Sequence, residues 1–97
     1  MTPESLASVL AMVKTRLNRL PSDTSLDSYL TARVSAAADQ LEQAGIHLAD
    51  SIKDIILVTD FTVWQYQNRD TPGAMPEWLR LMRRERWLSD RGDDDDP

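Results

Sequence analysis

Between Ile52 and Tyr66 nine of fifteen side chains are apolar, and they fall on every side of a helical wheel instead of along one stripe. The β-branched content of this run would also suit a strand. Ser51 and Asp54, however, stand at capping-box spacing at its start, and no glycine or proline interrupts it. A helix is therefore expected. A helix that is apolar all round is the buried centre of a bundle or half of an interface. The rest of this 97-residue chain has to cover it.

The flanking segments supply the cover. Thr2, Pro3 and Glu4 combine a capping hydroxyl, a proline at the first helical position and an acid near the positive dipole end. Leu6, Val9, Leu10, Val13, Leu17 and Leu20 then recur at three and four, and Pro21 is the expected stop. Thr24 and Asp27 repeat the capping spacing ahead of a stripe of Leu26, Leu30, Val34, Ala37, Leu41 and Ala44, where Ala36 and Ala38 permit close helix approach. Gly45 is the expected terminator, with Ile46 folding back onto Leu41 as in a Schellman motif. After the turn signal Asp70-Thr71-Pro72-Gly73, Pro76 and Glu77 open a fourth helix through about Ser89, with Trp78, Leu81, Met82 and Leu88 broadly on one side. The fold class expected is all-α, a small bundle of about four helices with a flexible acidic tail. Residues 1–90 form the one domain that an 11.0 kDa chain can sustain, and 91–97 a disordered end.

Composition narrows the chemistry. There is no cysteine and one histidine, His47, which is expected to be solvated or partly packed; three glycines leave no phosphate loop. A run such as Asp93 to Asp96 lacks the fixed geometry of a selective cation site. No catalytic, metal or cofactor residue is expected, and no enzyme. The start MTPESLASVLAMVKTRLNRL has neither the basic n-region nor the unbroken apolar stretch of a signal peptide, and no segment approaches a membrane span. A soluble, unexported chain is the expectation.

The net charge of -5 opposes general phosphate binding, but it conceals a local pattern. Residues 76–92 carry five basic and three acidic side chains, and Asp93 to Asp96 follow at once. The stretch WQYQNRDTPGAMPEWLRLMRRERWL holds all three tryptophans and five of the eleven basic residues. Trp64 and Trp78 either pack across the turn as core or belong to a contact surface, since Trp, Tyr and Arg are enriched at hot spots. Arg80, Arg83, Arg84 and Arg86 form either a solvated face paired with Glu77 and Glu85 or part of that contact.

The order VKTRLNRLPSDTSLDSYLTARVSAAADQLEQAGI, then DIILVTDFTVWQYQNRD with its Tyr66-x-Asn68-Arg69 ending, then MPEWLRLMRRERWL, resembles the small head-tail connector (adaptor, or head-completion) proteins of long-tailed bacteriophages. The resemblance spans about Val13 to Leu88. It implies an all-α structural subunit, made in the bacterial host cytoplasm, that forms a homo-oligomeric ring beneath the portal protein at the virion head-tail junction. Such a ring meets the next connector or a tail-terminator protein and passes DNA without sequence-specific binding; no enzyme activity, cofactor or membrane is implied. The ring contacts implied here are Phe61, Trp64, Tyr66, Asn68 and Arg69. Portal or partner contact falls to Trp78, Arg80, Arg83, Arg84 and Trp87. The rival expectation is a small DNA-associated regulator or packaging accessory that uses the arginine-rich helix.

Overall fold

A central apolar helix wrapped by three others is what the chain forms. The computed structural model describes residues 1–20, 22–70 and 73–95, of which 92–95 are described as backbone alone. Among them are α1 (Pro3–Arg16), α2 (Asp27–Gln43), α3 (Ile52–Gln67) and α4 (Glu77–Asp95), and no strand. α1, α2 and α3 pack against one another, whereas α4 lies against α3 alone among the helices. The core is Val9 and Val13 of α1, Leu30, Val34, Ala37 and Leu41 of α2, Ile46, Leu57, Val58, Phe61 and Val63, closed by Leu79 of α4.

The helix ends show which local signals were used. Thr2 Oγ1 accepts the Ser5 N–H at 3.2 Å, as its capping position requires. α1 stops well before Pro21, which lies outside the described residues, and the terminator is Asn18. Asn18 adopts φ 59°, its N–H donates to Thr15 O and the Arg19 N–H donates to Lys14 O, a Schellman closure with asparagine in the left-handed position. Leu20 is consequently outside the stripe and exposed. Thr24 and Asp27 do not form the expected capping box. The Asp23 carboxylate instead accepts the N–H and hydroxyl of Ser25, and Asp27 pairs with Lys14 of α1 at 2.9 Å, joining the two helices.

Gly45 ends α2 as expected. At φ 101° its N–H donates to Glu42 O and the Ile46 N–H to Leu41 O, which places Ile46 in the core. Ser51 caps α3 by accepting the Asp54 N–H. The polar residues inside α3 are satisfied locally: the Thr59 and Thr62 hydroxyls donate to Ile55 O and Val58 O, and Asp60 pairs with Arg16.

α4 is set one residue away from the expected rotation. Leu79 and Met82 face inward with Trp87 beside them, while Trp78 (51 % exposed), Leu81 and Leu88 face outward. Trp78 therefore does not pack across the turn as a partner of Trp64. The helix extends through Asp95, into the stretch expected to be disordered; the Asp93–Asp95 side chains, Asp96 and Pro97 lie outside the described residues.

Replacing Gly45 combines a left-handed strain with a steric one, because a Cβ there would sit 2.7 Å from Arg91 Nη2 and 2.9 Å from Trp87 Nε1. Gly45→Ala is expected to cost roughly 2 kcal/mol. It should lower the urea midpoint without changing the slope of the unfolding transition.

Candidate functional site

The position of α4 is decided by Arg86. Asp54, 1 % exposed at the start of α3, accepts Arg86 Nε at 2.6 Å and Nη2 at 3.2 Å, and its second oxygen also takes the Ala49 N–H at 2.6 Å. Arg86 Nη1 donates to Asp90 one turn on, and Nη2 to the His47 carbonyl, both at 2.6 Å. Asp90 in turn accepts the His47 N–H at 2.9 Å. One guanidinium thus ties α4, the start of α3 and the segment after Gly45 together. The hydrogen bonds it donates to Asp54, then to Asp90, push the Arg86 pKa further up, so it stays charged. The His47 N–H, followed by Arg86, holds the Asp90 carboxyl below its usual range. A second latch is Arg91, which lies 3.7 Å over the Trp87 ring and donates to Gly45 O.

This rotation exposes two adjoining surfaces. The outer face of α4 carries Trp78, Leu81 and Leu88, and on α3 Ile52 (72 % exposed) and Ile56 are also open to solvent. Between the two helices runs a cleft of about 250 Å³ whose lining includes Ile56, Met82 and Glu85. On the other flank of α4, Arg80, Arg83, Arg84 and Trp87 line a groove of about 370 Å³ against Ala44 and Ile46. None of these three arginines pairs with Glu77, Glu85 or any other described acid. The solvated face laced with salt bridges is therefore not what the helix forms.

The end of α3 is a third surface. Asn68 caps the helix, its side-chain amide donating to Trp64 O at 2.8 Å. Arg69 donates to Tyr66 O, with its guanidinium 4.1 Å over the Tyr66 ring, and Tyr66 meets the edge of Tyr29 from α2. Trp64 is half-buried and stacks on Phe61. Phe61 itself is in the core, so what this end shows at the surface is Trp64, Tyr66, Asn68 and Arg69. The Tyr-x-Asn-Arg pattern has a local job as well, which is to terminate α3.

No protein-family model, curated protein or solved structure matches the chain. Among the described residues no group of His, Asp or Glu converges as a metal site, and no helix is long and apolar enough to cross a membrane. Sequence reasoning took Asp54 as a cap and Arg86 as one arginine of four. It leaves Ile52 and Ile56 undivided within an apolar run that is either bundle centre or interface, and the structure sets both at the surface. The only advance signal for the clip was a carboxylate at the head of an apolar helix, which needs a cation wherever that helix is buried.

Arg86→Ala would leave Asp54 buried without its cation, and roughly 3–5 kcal/mol of stability should be lost in denaturant unfolding. Acid should act in the same direction. The Asp50 carboxyl is also depressed, by the Thr2 N–H and then the Ser5 hydroxyl. A depressed carboxylate stabilises fully above its ordinary value of 3.8 and loses that contribution as pH falls through the lower folded value. The melting temperature is expected to be flat from about pH 7 to 5 and to fall below about pH 4. In Asp90→Asn that fall should be shallower.

Proposed function

We propose that this chain is a structural assembly subunit of a phage or prophage head-tail junction, forming a ring beneath the portal that extends the DNA channel toward the tail. The observation that carries the assembly part is the outer face of α4, where Trp78, Leu81 and Leu88 stand exposed next to three arginines that pair with no acid among the described residues. Large aromatics and arginines on one continuous surface are the composition of a contact hot spot. Leaving them in water serves no purpose for an isolated bundle of this size. The junction part rests on the resemblance of the sequence order to head-tail connectors, which implies an all-α subunit, and the chain is all-α.

Several features fit this role mechanically. α1, α2 and α3 pack against one another and supply most of the core, so α4, which lies against α3 alone, leaves its outer face open. The groove at the Trp64, Asn68 and Arg69 end and the groove along Arg80, Arg83, Arg84 and Trp87 have no lining residue in common, so the subunit offers two contact regions. A closed ring needs two such regions per subunit, one for each neighbour. The overall negative charge lets DNA pass without adhering.

The mass of the purified chain across a concentration series, alone and with the cognate portal, tests this reading. The expected result is a monomer or loose association when dilute and a stoichiometric complex with the portal. Trp78→Ser combined with Leu81→Ser should change stability by no more than about 0.5 kcal/mol, because both are exposed, yet abolish portal binding. A folded chain indifferent to the portal would overturn the reading. Salt-dependent duplex binding lost on Arg83→Glu and Arg84→Glu would replace it with a DNA-associated accessory.

A further inference from the structure

We propose that the groove lined by Arg80, Arg83, Arg84 and Trp87 receives the acidic run Asp93 to Asp96 of a second copy of this chain. The groove offers three guanidiniums with no acidic partner among the described residues, above an apolar floor of Ile46 and Trp87. The chain carries one segment of matching chemistry, four consecutive carboxylates. Arginine and carboxylate pair through short, charge-assisted and often bidentate hydrogen bonds, so an aspartate run suits this site better than a neutral strand.

The order of charges along α4 points the same way. A helix dipole favours acids at the N-terminus and bases at the C-terminus. α4 places four of its five arginines in the first half, and its last turn is acidic with no basic residue. Stability of the isolated helix therefore does not account for the arrangement, whereas a neighbour's groove does.

The chain's own run does not reach the groove. α4 is continuous from Glu77 to Asp95, so Asp93, the member of the run nearest the groove arginines, lies about 13.5 Å along the axis from Arg84 at 1.5 Å per residue, more than the two side chains span together. The occupant comes from another molecule. A contact in which one end of a subunit meets a different surface of the next is heterologous, the kind that closes into rings. This deepens the assembly reading and rests on it.

The absence of cysteine from these 97 residues allows a direct test. Ala44→Cys places a thiol on the groove wall, and Pro97→Cys places one beside the acidic run; neither removes a charge. Mixed at low salt, the two variants should form a disulfide-linked dimer about tenfold faster than either alone, with the advantage disappearing near 1 M salt. Replacing Asp93 to Asp96 by asparagine in the Pro97→Cys chain should remove it as well. Equal rates for mixed and single variants would overturn the proposal. So would a doubly substituted chain that closes on itself at a concentration-independent rate, which would make its own run the occupant. Protection of the thiol at position 44 by duplex DNA, with no effect of the asparagines, would assign the groove to phosphates. Failure here with portal binding intact removes this contact alone, whereas a linked dimer without portal binding removes the junction and leaves the contact.

Discussion

The Asp54 carboxylate, buried at the head of α3, is the constraint around which the molecule is arranged. A carboxylate removed from water needs a cation and hydrogen bonds to its remaining lone pairs. Ala49 and Arg86 provide them, and Arg86 can do so only if α4 turns that side chain inward. Neighbouring residues on a helix are about 100° apart. Fixing Arg86 therefore fixes Leu79 and Met82 toward α3 and sends Trp78, Leu81 and Leu88 outward.

That choice divides the labour between the helices. α1, α2 and α3 are joined by apolar burial along their lengths, which is non-directional and tolerant. α4 is joined by a small apolar contact at Leu79 and a directional polar clip running from Arg86 through Asp90 to the backbone around His47. A polar clip specifies one rotation of the helix, where an apolar stripe alone would allow slippage. The surface so defined has an apolar outer face and an arginine-lined flank, both oriented on the bundle by the Arg86 clip and the Arg91 latch. Partner recognition depends on such pre-organisation, because side chains already in position lose less entropy on binding.

The Tyr66 end of α3 shows how a short motif can serve structure and surface together. Asn68 satisfies a helix carbonyl, and Arg69 is immobilised over Tyr66 by stacking and a backbone hydrogen bond. Both side chains acquire defined directions as a result of ending the helix.

The residues by themselves determined the all-α class, the four helices, and those ends that rest on local chemistry. Thr2, Ser51 and Gly45 act within a few residues of their own positions, so their capping roles are legible without a fold. The inner faces of α1 and α2 were legible for the same reason, since their periodicity agrees with their burial at Val9, Val13, Leu30, Val34, Ala37 and Leu41. The stop at Asn18 was carried by local chemistry too, but Pro21 is the louder signal and obscured it. Tertiary structure alone decided the setting of α4, where an apolar series at Trp78, Leu81 and Leu88 mimics a core stripe while the true inner face includes the charged Arg86 and Asp90. Hydrophobic periodicity reads only the strength of water's exclusion. It cannot register that a buried carboxylate more than thirty residues away outweighs it.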